Sequence, residues 1–233
     1  MVEALKAGKD LDKILLRKGL KGPVFSEMLG LARNAGIPWQ FVPEEKLNRI
    51  TMQNHQGVIA LTSRIAYHYL ENLLPAVFES GKVPLLLILD GITDVRNFGA
   101  IARSAECAGI DAIIIPEKGS AQVSEDAIRT SAGALVRIPV CRAARMKDMA
   151  IFLRNSGIKI IAATEKAEAI YFQEDLTVPL AFVLGSEDEG ISEELLHYCE
   201  SLVKIPMMGA IASLNVSVAA GILFFEAVRQ RAG

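Results

Sequence analysis

Three short stretches of this chain combine polar side chains, glycines and small residues at spacings that can do chemistry. The first is Asp94-Val95-Arg96-Asn97-Phe98-Gly99-Ala100-Ile101-Ala102-Arg103-Ser104. Asn97 and Gly99 stand at an expected helix start, and Arg103 lies about one turn further on, directed back toward that loop. Such a cluster suits an anionic or hydroxyl-bearing substrate. Taken alone, it reads rather as an Asn N-cap beside a solvated arginine. The second stretch is Phe182-Val183-Leu184-Gly185-Ser186-Glu187-Asp188-Glu189-Gly190-Ile191-Ser192. Gly185 allows a ligand to approach the backbone closely. Glu187, nearest the strand end, is the candidate acid. Asp188 and Glu189 read as solvated, and Ser192 as the N-cap of a helix over 193–198. The third stretch runs from Ile205 to Gly221, through Met207, Ser213, Leu214 and Asn215 into Val216-Ser217-Val218-Ala219-Ala220-Gly221. Its small residues let a neighbour pack against the helix backbone, and Ser213 and Asn215 are polar groups at that helix's start, where their plainer role is capping.

Each stretch follows an apolar run that reads as a strand: 84–89, 179–184 and 202–205. Ligands bind open α/β sheets at the carboxyl ends of such strands. Between these runs the pattern alternates. Helices are expected over 100–108, 124–131 and 146–155, strands over 112–115, 135–140 and 159–163, and a final long helix over 216–230. Strand alternating with helix implies α/β architecture with a mostly parallel sheet. Upstream, residues 1–66 form a smaller α/β pattern. It has a strand near Lys13–Arg17 entered from Asp10, a helix over 25–35, a strand at Trp39–Val42, a helix from Pro43 to Leu47 and a strand at Gly57–Thr62. Residues 67–82 read as a linking helix, with Tyr67, Leu70, Leu73, Leu74, Val77 and Phe78 at helical spacing. Three regions follow: 1–66, 67–82 and 83–233.

Composition narrows the class. Of 233 residues 51% are apolar, enough for a large core, yet no window has the roughly 18 uninterrupted apolar residues of a membrane span, so no membrane partner is expected. Met1 to Asp10 lacks the apolar core of a signal peptide. The three cysteines, Cys107, Cys141 and Cys199, are far apart. They read as reduced core thiols in a cytoplasmic protein, without metal-ligand spacing, and no metal is expected. There is no GxxxxGK[ST], HExxH, GxSxG or CxxC, and the 84–89 strand does not lead into a glycine-rich turn. A Rossmann-type nucleotide site is therefore unsupported. Net charge is −2, but residues 1–66 carry ten basic and six acidic residues, a balance of +4, and residues 67–233 carry the offsetting −6. Contact with a polyanion is expected in the basic head, above all at Arg49 to Gln56.

In order and spacing the three stretches resemble the three motifs of the SpoU (TrmH) branch of the SPOUT methyltransferases, S-adenosylmethionine-dependent RNA ribose 2′-O-methyltransferases. The resemblance is closest in Asn97–Ser104, Gly185-Ser186-Glu187 and Ser213–Ala219, and it spans residues 83–233. Residues 1–66 resemble the substrate-binding domain of many members, particularly at His55-Gln56-Gly57-Val58. Ser186 stands where many relatives carry Asn. The members this chain is most similar to methylate a guanosine ribose of bacterial large-subunit ribosomal RNA. A transfer-RNA ribose methylase is the nearest alternative, and a non-catalytic RNA-binding or assembly factor is a more distant one. The resemblance implies a homodimer, a C-terminal trefoil knot and S-adenosylmethionine as cofactor. It implies catalytic or substrate-facing roles for Asn97, Arg103, Glu187, Ser213 and Asn215. It implies cofactor contacts, largely through backbone groups, at Leu184, Gly185, Ile205, Met207, Ser213 and Leu214. The family's arginine base falls on Arg103, but a guanidinium with a pKa above about 12 accepts protons poorly. Arg103 is expected instead to clamp the neighbouring phosphate, with Glu187 or a phosphate oxygen receiving the proton.

Overall fold

The computed structural model describes residues 1–8, 11–121 and 123–232. The expected approach to the first strand at Asp10 lies outside them. The chain divides into two compact units, residues 1–66 and 67–233.

The first unit contains α1 (Val2–Lys6), β1 (Leu11–Arg17), α2 (Pro23–Asn34), β2 (Trp39–Val42), α3 (Glu44–Ile50) and β3 (Val58–Thr62). Its sheet has the order β2-β1-β3, with β1 parallel to β2 and antiparallel to β3. Central β1 is apolar on both faces because both are covered. Ile14 and Leu16 join Met28 and Ala32 of α2 on one face, and Leu15 packs with Val42 and Leu47 of α3 on the other. The crossover β1–α2–β2 brings the carboxyl ends of two parallel strands together.

The second unit is larger. In chain order it contains β4 (Tyr67–His68), α4 (Leu70–Glu79), β5 (Leu85–Asp90), α5 (Val95–Cys107), β6 (Ala112–Pro116) and α6 (Glu125–Thr130). There follow β7 (Val140–Ala143), α7 (Met146–Asn155), β8 (Lys159–Ala163), β9 (Ala169–Ile170), β10 (Leu180–Gly185), α8 (Glu193–Leu196), β11 (Ser201–Lys204) and α9 (Val216–Ala232). The eight strands run in the order β4-β7-β6-β5-β10-β8-β11-β9, and every pair is parallel. The expected parallel α/β sheet is therefore present. Central β5 and β10 are buried from end to end apart from their last residues, as a strand covered on both faces must be.

Four local expectations fail for identifiable reasons. The strand expected over 135–140 is replaced by a 3-10 turn, Ala134–Val136, and the strand begins at Val140. Pro139 has no N–H to give a ladder; it contributes only its carbonyl, which accepts from Ile113 N at 2.9 Å. In the stretch read as a linking helix over 67–82, Tyr67 and His68 are strand residues paired with Val140 and Cys141, and the helix spans Leu70–Glu79. The Tyr67 ring lies 3.5 Å from the Arg142 guanidinium, a cation–π contact available only at the sheet edge. Helix α5 starts earlier than expected, with Asp94 as its N-cap, accepting from Arg96 N and Asn97 N at 2.8 Å each. Cys107 is exposed rather than in the core, whereas Cys141 is buried.

The chain's last helix is tied back to the beginning of the sheet. The Arg231 guanidinium donates to the carbonyls of Leu176 (2.9 Å), Val83 (2.7 Å), Pro84 (3.2 Å) and Val178 (2.7 Å). Burial holds its pKa below the usual arginine value, but four acceptors in a rigid fork keep the charge satisfied. Along its length α9 packs on α5, where Ser104 Oγ would lie 3.9 Å from a Cβ on Gly221. Helix α5 is in turn pressed against α6. A Cβ on Gly99 would meet Thr130 Cβ at 2.7 Å and the Ala127 carbonyl oxygen at 2.9 Å. Helix propensity alone would favour Gly99→Ala by up to about 1 kcal/mol. Overpacking against a backbone oxygen costs about 1–3 kcal/mol and should win. We expect Gly99→Ala to lower Tm by about 2–6 °C in differential scanning calorimetry; an unchanged or raised Tm would show that the α5–α6 contact yields.

Candidate functional site

The polar residues of the three stretches meet at the carboxyl ends of β5, β10 and β11. Strand β10 ends in a tight reversal. Ser186 and Gly190 exchange backbone hydrogen bonds, Ser186 N to Gly190 O at 3.1 Å and Gly190 N to Ser186 O at 3.0 Å. A Cβ at Gly185 would stand 2.1 Å from the Gly190 carbonyl carbon and 2.3 Å from Ile191 N. The sequence reading assigned Gly185's missing side chain to ligand approach. The structure assigns it to the chain's own backbone folding over itself. The reversal is pinned to β5 by Asp90, whose carboxylate accepts from Ser192 N at 2.8 Å. Ser192 stands at the N-cap of α8, but its side chain makes no capping bond. The helix is the single turn Glu193–Leu196, shorter than the 193–198 expected.

This reversal presents Glu187. Its Oε1 accepts from Asn97 Nδ2 at 3.1 Å, from Asn215 Nδ2 at 2.7 Å and from Val216 N, the first residue of α9, at 3.4 Å. Asn97 Oδ1 accepts from Asn215 Nδ2 at 3.0 Å. Asn215 Oδ1 accepts from Ser217 N at 3.0 Å, so Asn215 also caps α9, as expected of a residue preceding a helix. A carboxylate at a helix N-terminus is further favoured by the helix dipole. Residues 97, 187 and 215 thus form one hydrogen-bonded cluster.

Behind the cluster lies a cavity of about 330 Å³, within the size range of small-molecule sites. Leu184, Gly185, Ser186 and Glu187 line it from β10, and Ile205, Met207, Ser213, Leu214 and Asn215 line it from the loop after β11. Asn97 closes the cluster from α5 without lining the cavity. Arg103 lines no part of it: its side chain is exposed and makes no hydrogen bond or ion pair among the described residues. Six residues beyond Asn97, it sits about 9 Å further along the helix axis and on a different side. Sequence reasoning passed over Ala163, Thr164 and Glu165, which line the cavity from the end of β8. The rule that sites gather at carboxyl strand ends pointed there, but no polar motif drew attention. It also missed Asp90 and Asp94, the two carboxylates that hold the surrounding turns.

Other chemistries find little support. Burial pushes the Cys141 and Cys199 thiols up to about 12, with nearby carboxylates adding to the shift, so neither is a thiolate at neutral pH. Among the described residues no three His, Cys, Asp or Glu side chains are grouped to hold a metal. No helix of those residues is long and apolar enough to cross a membrane.

Comparison with known proteins gives the same outline. Residues 84–225 match the SpoU rRNA Methylase family, and residues 2–68 match the family of domains described as RNA 2'-O ribose methyltransferase substrate binding. The chain is 34% identical over 236 residues to the 23S rRNA (guanosine-2'-O-)-methyltransferase RlmB of Yersinia pestis, covering 99% of this chain and 96% of that one. The crystal structure of an AdoMet-bound rRNA methyltransferase from Sinorhizobium meliloti superposes with a TM-score of 0.65 at 26% identity, covering 98% of this chain and 83% of that one. The A. aeolicus TrmH/SpoU tRNA modifying enzyme has a TM-score of 0.58 at 28% identity, and covers 70% of this chain and 84% of its own.

The cluster makes a test of its own. Asn215→Ala removes a helix cap and two donors; loss of such a cap costs about 1 kcal/mol, or a Tm lower by about 2–4 °C. Asn215→Asp keeps the cap but sets a second carboxylate against Glu187. Two adjacent carboxylates raise each other's pKa in the folded state. The variant's stability is then present below the unfolded carboxylate pKa of about 4 and lost as pH rises through the raised value. Thermal melts should show Asn215→Asp losing more Tm relative to wild type at pH 8 than at pH 4; an equal loss at both would mean the two groups are not in contact.

Proposed function

Because this chain belongs to the SpoU rRNA methylase family, we propose that it transfers a methyl group from S-adenosylmethionine to the ribose 2′-hydroxyl of a guanosine in large-subunit ribosomal RNA. The observation that carries this reading is the cavity at the ends of β8, β10 and β11, closed by the Asn97–Glu187–Asn215 cluster. Ribosomal RNA is favoured over transfer RNA by the first unit. The ribosomal-RNA enzyme of Yersinia pestis aligns along 99% of this chain, and the A. aeolicus tRNA modifying enzyme along 70%.

The cavity suits the cofactor. Its walls combine apolar side chains and backbone from Leu184, Gly185, Ile205, Met207 and Leu214 with polar groups at Glu187, Ser213 and Asn215 on one side and at Thr164, Glu165 and Ser186 besides. Leu184, Gly185, Ile205, Met207, Ser213 and Leu214 would hold it. The cofactor supplies a methyl group made electrophilic by its sulfonium. Positioning accounts for much of the catalysis of such a displacement. In our reading Asn97, Ser213 and Asn215 orient the acceptor ribose at the cavity mouth, and the Glu187 carboxylate, held there by three N–H donors at Oε1, or a phosphate oxygen of the RNA receives the proton that the 2′-hydroxyl gives up. Arg103, exposed and without an internal partner, clamps a phosphate of the incoming RNA.

The C-terminal segment fits a trefoil knot. From β10 the chain passes outward to β11, returns through the loop over 205–215 across the end of β10, and leaves along α9 to the start of β5. The functional unit is a homodimer. Val218, Ile222 and Phe225 recur on one outward side of α9, with Val218 and Phe225 each about half exposed, and a stripe of that kind is covered when two copies meet.

Three outcomes follow. Mass spectrometry of RNA nucleosides from a deletion strain should lose one 2′-O-methylguanosine from large-subunit RNA; loss from transfer RNA instead would move the substrate. Arg103→Ala should lower turnover about a hundredfold, the order of losing a group that positions the substrate, with S-adenosylmethionine affinity by calorimetry within about twofold of wild type. Wild-type turnover would remove its role. Phe225→Asp should convert a dimer to a monomer in light scattering at micromolar concentration; a monomeric wild type would overturn the dimer.

A further inference from the structure

At the carboxyl ends of β1 and β2 the first unit exposes the ring of Phe41, backed by the half-buried Phe25 of α2, with two exposed lysines on the turn that follows β1. Phe41 pairs in register with Leu16 on the face covered by α2. It lies at the end of β2, where the helix no longer covers it, and is 44% exposed. Its ring stands 6.2 Å from that of Phe25 on α2, tilted by 53°. Val24, next to Phe25, is 67% exposed. Two residues beyond Leu16 the chain reaches Lys18, whose N–H still bonds Val42 O at 3.1 Å, so Lys18 leaves the sheet directly beside Phe41. The turn Lys18-Gly19-Leu20-Lys21-Gly22 then leads into α2, with both lysines exposed. Neither ammonium has an ion-pair partner among the described residues, and the acids that might neutralise them are engaged elsewhere: Glu44 by Arg17 at 3.2 Å and Glu27 by Lys6 at 2.8 Å. An apolar ring left in water beside two unpaired cations is a poor surface for a protein core contact, which would bury the lysines unpaired. It fits a ligand that is aromatic on its faces and anionic along its backbone.

We propose that Phe41, backed by Phe25, stacks an unpaired base of the RNA while Lys18 and Lys21 hold the phosphates on either side of it. This rests on the reading that the substrate is RNA. It adds a single-stranded nucleotide site on the first unit, 1–66, separate from the acceptor site. Loss of one stacked base weakens binding by about 5- to 150-fold, and each phosphate contact on a single strand contributes about 0.7 to the salt slope.

The test uses the full chain and a labelled, unstructured oligoribonucleotide, with affinity read by fluorescence anisotropy across a salt series. Phe41→Ala should weaken binding about tenfold or more. Phe41→Trp should retain it, and Phe41→Leu, which keeps apolar volume without a ring, should behave like Ala. Lys18→Ala with Lys21→Ala should reduce the salt slope by about 1–1.5. S-adenosylmethionine affinity and Tm should stay close to wild type in all four, as separate sites require. Equal affinities for Phe41, Ala and Leu, with an unchanged slope in the lysine pair, would overturn the site while leaving the RNA reading intact. If the wild-type chain binds S-adenosylmethionine but no RNA of any kind, the reading beneath the proposal fails instead. Normal methylation of naked RNA but failure on assembled ribosomal particles would assign the patch to a protein partner and overturn the proposal.

Discussion

Oε1 of Glu187 accepts from residues that are 90, 28 and 29 positions away along the chain. That one oxygen joins the start of α5, the end of β10 and the start of α9, and the arrangement of the site follows from it. A charged acceptor with several N–H donors is worth more than a neutral pair, and here the donors do not compete. Asn97 and Asn215 also bond each other, so removing any one member leaves the other two misaimed. The carboxylate can occupy that position only because β10 ends in a reversal with no room for a Cβ at Gly185. A larger residue would push Gly190 and Ile191 away, and with them the Ser192 N–H that Asp90 holds against β5. A packing constraint at one glycine therefore decides where the Glu187 carboxylate stands, two residues on in sequence.

The same logic runs through the rest of the second unit. The three stretches meet near the strand ends, and so close a meeting needs either small residues or polar groups that bond what they touch. Asn215 provides the bonds on one side, to Asn97 and Glu187. Gly99 against α6 and Gly221 against α5 provide the clearance on the other. At the far end of α9, Arg231 satisfies four carbonyls from two different loops. Unpaired buried carbonyls would be costly, so this guanidinium closes the C-terminal helix onto the start of β5. The stability of the site and the course of the chain around it are the same set of interactions seen from two ends.

The two units divide the chemistry by charge as well as by fold. A basic balance of +4 in residues 1–66 and −6 in the remainder suits the proposed assignment of phosphate contact to the first unit, with Arg103 as a further proposed contact on the second. Phosphate attraction is long-ranged and unspecific; the cavity cluster is short-ranged and directional. Keeping them on separate cores lets each be satisfied without distorting the other. The exposed ring of Phe41 at the end of β2 lies on the basic unit, where unspecific attraction would deliver a nucleotide to it.

Much of this was legible in the residues because it depends on local periodicity. The apolar runs over 84–89 and 179–184 read as strands covered on both faces, and their alternation with helices implies a mostly parallel sheet. The residue types at three strand ends identified Asn97, Glu187 and Asn215 as polar groups near a common edge. Partnership was not legible. Nothing in the spacing says that Glu187 accepts from both amides, that the chain's own backbone leaves no room for a side chain at Gly185, or that Asp94 and not Asn97 caps α5. Arg103 is the clearest divergence: its position in the motif suggests a residue directed back at the loop, whereas the helix carries it to an exposed side. The edge strand Tyr67–His68 and the cavity wall at Ala163–Glu165 were missed for the same reason. Each acquires its role from a strand or loop far away in sequence, and only the closing of the tertiary structure brings such pairs within hydrogen-bonding or van der Waals distance.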